Sequence, residues 1–250
     1  MKKSQKKLIV FAAALAAGLC IVPTASAMHI MEGYLPPAYC IGWGVICLPF
    51  LLAGFFVLRN TVKKNRRALT LIAISGAFIF VISSLKIPSV TGSCSHMTGT
   101  GLGAILFGPV AVSILGIIVL LFQAILLAHG GLTTLGANCF SMAIAGPLVT
   151  FLLYVFLKKA GLNKKVNIFI AAALGDLFTY CVTAFQLALA HPSEVGGIDA
   201  SFGKFLAVFA PTQIPLAVIE GILTVVIIIA MESFAAKELK TIGFIKEVAK

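Results

Sequence analysis

The chain alternates long apolar runs with short, strongly basic connections. Apolar segments lie at about 37–58, 68–86, 110–128, 136–157, 166–190 and 205–231. Each is close to the roughly 20 residues that a helix needs to cross a hydrocarbon core about 30 Å thick. Apolar runs of this length predict membrane-spanning helices, where strands would be far shorter. An earlier apolar run, Leu8 to Val22, is shorter. Lys2, Lys3, Lys6 and Lys7 precede it and Ala25-Ser26-Ala27 follows it, the pattern of a secretory signal peptide over 1–27. An uncleaved anchor is the rival reading. Cleavage after Ala27 places Met28-His29-Ile30-Met31-Glu32-Gly33 at the new amino terminus, outside the cytoplasm.

The basic clusters orient the helices. Arg59, Lys63, Lys64, Arg66 and Arg67 fill one connection. Lys158, Lys159, Lys164 and Lys165 fill another, and Lys237, Lys240, Lys246 and Lys250 lie in the tail. The positive-inside rule assigns all three to the cytoplasm. Two cytoplasmic loops are separated by an even number of crossings, yet only three long apolar segments lie between 67 and 158. The missing crossing is placed at about 98–108, as a short or broken helix buried by its neighbours. The expected architecture is therefore an all-α polytopic membrane protein. It has seven mature transmembrane helices, an outer amino terminus and a cytoplasmic carboxyl terminus. The membrane domain covers 28–235 and a cytoplasmic tail 236–250. Six spans with one basic loop outside is the alternative.

Composition agrees. Apolar residues make up 60% of the 250 and charged residues 11%, and the mean hydropathy is +1.09. Soluble domains are about a quarter charged, so a soluble enzyme, a coiled coil and a disordered chain are all excluded. The net charge of +11 would suggest nucleic acid in a soluble protein. Here topology absorbs it, because only Lys86 and Lys204 fall on the outer side. No nucleic-acid partner is implied; the surroundings are a lipid bilayer. The six cysteines form no CxxC pair and read as small apolar residues, with no zinc or disulfide framework.

Under this topology His29, His96, His129 and His191 all lie on the outer side. After cleavage His29 is the second residue. The amine of Met28, the amide nitrogen of His29 and its Nδ1 can then close a five- and a six-membered chelate ring on one metal. Such nitrogen donors suit Ni(II) or Cu(II) and are accessible to Co(II). His96, in the Gly/Ser/Thr-rich stretch TGSCSHMTGTGLG at 91–103, is the candidate fourth donor. For both histidines the alternative is an incidental loop residue. His129 and His191 adjoin spans and are expected to matter little. Imidazole ligands are expected to lose metal as they protonate, below about pH 6.5. Asp176 and Glu220 fall mid-span, where ionised carboxylates are costly; they read as structurally paired with polar neighbours, and protonation or a place in the transport path is the alternative. Gln123, Asn138, Gln186 and Gln213 read as interhelical hydrogen-bond partners. Glu32 is expected either to orient a ligand histidine or to cap a helix. Ala73-Ile74-Ser75-Gly76-Ala77 is a small-residue pattern for close helix approach. The sequence has no Walker A motif and no HExxH.

MHIMEGYLPP at 28–37, SHMTGTGLGAILFGP at 95–109, GGLTTLGAN at 130–138 and QIPLAVIEG at 213–221 resemble the CbiM/NikM family. These are the metal-binding S components of energy-coupling factor (ECF) transporters for cobalt or nickel, and the resemblance covers about 28–235. It implies a seven-helix protein of the prokaryotic cytoplasmic membrane that captures Co(II) outside the cell for uptake, with supply to cobalamin biosynthesis. The same role for Ni(II), or a self-sufficient secondary transporter, is the alternative. The ligands it implies are Met28, His29 and His96. No resident cofactor is implied; the ion is substrate. The implied partners are a CbiQ-like T component, a CbiO-like ATPase and a small CbiN-like membrane subunit. The pattern at 73–77 resembles the contact through which S components meet the T component.

Overall fold

The computed structural model describes residues 29–88 and 94–245. The leader at 1–27 and the Met28 amine lie outside the described residues. Helices dominate: α1 (Pro37–Lys64), α2 (Ala68–Ser84), α3 (Thr100–Phe107), α4 (Pro109–Leu127), α5 (Leu135–Lys159), α6 (Lys164–Ala190), α7 (Gly197–Phe234) and α8 (Ala236–Thr241). The exception is an antiparallel pair of two-residue strands. In it Ile87 of β1 (Ile87–Pro88) faces Ser95 of β2 (Cys94–Ser95).

Among the described residues, five helices are long and apolar enough to cross a membrane: α1, α4, α5, α6 and α7. The apolar α2 is shorter, at 17 residues. Each of the six apolar segments from residue 37 onward is a helix, most within a few residues of the expected bounds. The largest difference is α7, expected at 205–231 and observed at Gly197–Phe234. Its 38 residues span about 57 Å if straight, beyond a hydrocarbon core of about 30 Å. It also carries Pro211 and Pro215 in its interior.

The burial pattern is that of a protein with apolar surroundings. Large apolar side chains point outward, Ile41, Leu48, Leu52, Phe55 and Phe56 on α1 among them, while Thr98, Asn138, Asp176, Gln213 and Glu220 are buried. A water-facing surface of that kind would be an aggregation hazard. In lipid it is the favourable arrangement, and the polar groups turn inward to find partners. Helix α3 is the most enclosed element, with every residue from Thr100 to Leu106 buried. It stands where the sequence required a short helix at 98–108. Gly99 at φ +68° and Gly108 at φ +85° turn the chain into and out of it.

Close approach of α5 and α6 depends on small residues. A Cβ on Gly146 would collide with Thr179, and one on Gly175 with Thr150. Within α5, Cys139–Ala145 forms a π-helical turn. The α6 residue Gln186 donates from Nε2 to the Ala137 carbonyl at 3.1 Å, just before that turn. Gln123 on α4 donates to Ser83 Oγ on α2 at 2.7 Å. Both glutamines therefore make the interhelical bonds expected of them. At the opposite end from the histidines, Lys63 and Lys64 close α1 and Lys158 and Lys159 close α5, the favourable end of the helix dipole for cations. Lys164 pairs with Glu232 there. The tail begins as α8, whose Leu239 is fully buried in the core.

Candidate metal site

His29 is held by the residue after it. The Ile30 amide donates to Asn138 Oδ1 at 2.8 Å, and the Ile30 carbonyl accepts from Asn138 Nδ2 at 3.0 Å and from Thr134 Oγ1 at 2.6 Å. These two side chains at the start of α5 replace the pairing that an extended backbone strip would lack. Asn138 is thus a clamp on the amino-terminal strip, where the sequence suggested a helix–helix bond.

His96 lies between β2 and α3. Its Nδ1 is 2.8 Å from the Met97 carbonyl oxygen. A carbonyl only accepts, so Nδ1 carries the proton and Nε2 presents a lone pair. That Nε2 is buried and has no hydrogen-bond partner among the described residues. Fixing one imidazole nitrogen on a carbonyl is the usual way to aim the other at a metal.

The structure adds His129, which the sequence reading set aside. Helix α4 ends at Ala128, the one non-glycine residue with positive φ (+46°) among those described. The His129 amide closes the helix end on the Gln123 carbonyl at 3.1 Å. This left-handed turn points His129 back into the bundle, where a simple helix continuation would have carried it away. The one available signal was Gly130-Gly131, which permits so abrupt a reversal. Gly131 is also where the 130–134 loop meets the strip, since a Cβ there would fall 2.5 Å from Glu32 Cα.

The three imidazoles form one buried cluster. His29, His96 and His129 are 3%, 1% and 1% exposed. His29 and His96 stack with centroids 4.3 Å apart and planes 18° apart. The His129 ring stands edge-on to both, at 72° and 88°. One nitrogen from each ring can be chosen so that all lie within 4.8 Å of one another. His29 Nδ1 and His129 Nε2 are 3.1 Å apart. Two donors about 2.0–2.1 Å from one ion, at a right angle or slightly more, lie about 3 Å apart. A metal on His29 Nδ1 would therefore replace that hydrogen bond and find His129 Nε2 within reach. His29 Nε2 and His129 Nδ1, like His96 Nε2, have no hydrogen-bond partner among the described residues.

Burial sets the protonation. It holds His96 down at about 4, against the opposing hydrogen bond to Met97, and His129 down at about 2. His29 is also held well below its ordinary value, by burial first and then by its two neighbouring imidazoles. All three rings are neutral near pH 7, the form in which imidazole binds metals.

The remaining candidates lie apart. His191 Nε2 meets the Tyr34 carbonyl at 2.9 Å, and His191 packs on the Tyr34 ring away from the cluster. Glu32 does neither of the two things expected of it. Its Oε2 accepts from the Thr133 amide at 3.2 Å, so it braces the 130–134 loop against the strip. Hydrogen bonds from Thr133 hold its carboxyl below the usual carboxylate range.

The comparisons with known proteins cover the same residues. The family model described as the cobalt uptake substrate-specific transmembrane region, CbiM, matches residues 29–238. A "Cobalt transport protein CbiM" from Lachnoclostridium phytofermentans is 66% identical over 245 residues, 98% of either chain. One of the same name from Ruminiclostridium cellulolyticum is 57% identical, covering 88% of this chain and 89% of its own. Two solved structures superpose well. A transition metal transporter reaches a TM-score of 0.71 at 28% identity, covering 82% of this chain and 93% of its own. A truncated transition metal transporter reaches 0.70 at 27% identity, covering 82% and 99%. A match over nearly the whole described chain, at such identity, means that this protein belongs to the CbiM family.

Proposed function

We propose that the chain is the substrate-capturing membrane subunit of an ATP-driven importer of the ECF class, and that Co(II) is its substrate. The observation that carries this reading is the cluster of three buried, neutral imidazoles, each offering a nitrogen within 4.8 Å of the others'. Nitrogen donors favour intermediate first-row ions and disfavour Mg(II) and Ca(II), which take oxygen ligands. The family's transport role and the relatives named for cobalt support it.

In this reading the signal is removed after Ala27 and seven helices cross the membrane, α3 being the short one. The histidine end faces outward and the end bearing the lysine clusters faces the cytoplasm. The Met28 amine, the His29 amide and Nδ1, and His96 Nε2 hold the ion, with His129 beside them. Among the described residues, His29 and His96 sit on separate strips, and they and His129 meet only in the folded bundle. With no Walker A motif in the sequence, the energy comes from partner ATPases through a T component.

The decisive experiment is cobalt binding by the purified mature chain, with N-terminal sequencing, followed by uptake with and without the partner subunits. One cobalt bound per chain whose first residue is Met28, and uptake only with partners, is the expected result. Uptake by the chain alone would favour a secondary transporter. Stronger retention of nickel than cobalt would reassign the substrate.

A further inference from the structure

Asp176 on α6 and Glu220 on α7 are buried carboxyls in membrane-spanning helices, a placement that is rare and unfavourable without a task. Three of their four oxygens are engaged by the loop that carries His96. Glu220 Oε2 accepts from the Thr98 amide at 2.6 Å and Oε1 from the Thr98 hydroxyl at 2.9 Å. Asp176 Oδ1 accepts from the same amide at 3.2 Å, and Oδ2 accepts from Gln213 Nε2. Gln213 also donates to the His96 carbonyl at 3.3 Å. Ser95 Oγ meets Thr212 Oγ1 at 2.7 Å. The segment from Ser95 to Thr98 is thus gripped at four points, three of them on α7. Thr212 and Gln213 lie between Pro211 and Pro215, where the missing amides weaken the helix ladder, and Glu220 follows just beyond. Immediately after Thr98, Gly99 in the left-handed region is a hinge that would let the loop swing if the grip were lost.

We propose that Asp176 and Glu220 are positioning residues for His96, clasping Thr98 so that the donor geometry of the site is set from the middle of α6 and α7. The inference deepens the metal-capture reading and rests on it. The carboxyls are not ligands themselves, because their oxygens accept from Thr98 and from Gln213. The consequence is mechanical: a movement of α7 about its proline-containing stretch would displace His96 while leaving His29, which is clamped to α5 by Asn138.

The test uses the full mature chain in detergent with three variants. Glu220→Leu removes the clasp. Glu220→Gln keeps it, since an amide can accept from the Thr98 amide and donate to the Thr98 hydroxyl. Ile228→Ala, about two turns further along α7 and buried in the core, lowers stability without touching the loop. Two readouts are taken: cobalt affinity, and carbethoxylation of His96 by diethyl pyrocarbonate, resolved by peptide mass spectrometry. Glu220→Leu is expected to weaken cobalt binding by about 10–100-fold, the range for disturbing an outer-sphere partner. It should also make His96 reactive while His29 stays protected. Glu220→Gln should restore both properties, and Ile228→Ala should change neither. Parent-like affinity and protection in Glu220→Leu overturns the proposal. So does an Ile228→Ala variant as weak and as reactive at His96 as Glu220→Leu, which would mean that general loosening is the cause. If the parent bound no cobalt, the metal-capture reading would fall, while the carbethoxylation pattern would still decide the clasp.

Discussion

At the scale of single residues, the site is defined by which nitrogens are free. His96 has one nitrogen committed to Met97 and one unpartnered, so His96→Ala deletes a prepared donor and should lower cobalt affinity by well over tenfold. His129→Ala should also weaken binding, by about 10–100-fold as for a neighbouring orienting group, whereas His191→Ala should leave it unchanged. Equal affinities for His129→Ala and His191→Ala would remove His129 from the site. The pH dependence follows from burial. The clustered histidines stay neutral well below 6.5, His96 to about 4, so proton competition falls on the amine, ordinarily near 8, and on the amide. The logarithm of affinity should therefore fall by about two per pH unit between pH 7 and 5. Imidazoles titrating at an ordinary value would steepen that slope towards about four, which potentiometric or calorimetric titration would reveal. Fold stability has the matching sign. Unfolded histidines take up protons from about 6.5 downward and the buried ones do not, so stability is present above 6.5 and is lost as pH falls towards 4.

At the scale of elements, short irregular pieces do the positioning and long helices supply the frame. The loop 130–134 can lie on the amino-terminal strip because Gly131 has no side chain. Gly131→Ala drives a carbon into the Glu32 backbone, so it should push the strip outward and weaken cobalt binding while helix content by circular dichroism is unchanged. The α5–α6 contact answers to a different test. Gly175→Ala overpacks against Thr150 and should lower stability by about 1–3 kcal/mol. Thr150→Ala in the same chain should recover part of it. Additive losses in the double variant would show that the two residues do not share this contact. The helices themselves were legible in the sequence, because a continuous apolar run of membrane length has no other stable form in lipid. Helix α3 was legible only through the parity of the basic loops. Its eight residues are far short of the roughly 20 that a span needs.

For the whole molecule, the polarity of the two ends is the central expectation. The lysine-rich end and the histidine end lie at opposite ends of the helices, so their exposure to a reagent that cannot cross the membrane should differ. Val195→Cys, at the 84% exposed tip beyond α6, should be labelled in intact cells. Lys159→Cys, at the end of α5, should be labelled only after permeabilisation. The reverse pattern would invert the proposed topology. The sequence by itself determined the class of protein and the places of the long helices, because hydropathy and charge act locally, and it singled out two of the three clustered histidines, His29 and His96. Its motifs also carried the family. Only the tertiary structure decided that His129 joins the cluster, that Asn138 and Thr134 clamp Ile30, and that Asp176, Gln213 and Glu220 grip the loop of His96. Those contacts join residues about 37 to 122 positions apart. They depend on a left-handed turn at Ala128 and on the rotation of each helix about its axis. Helices that are apolar on nearly every face leave no stripe in the sequence from which that rotation can be read.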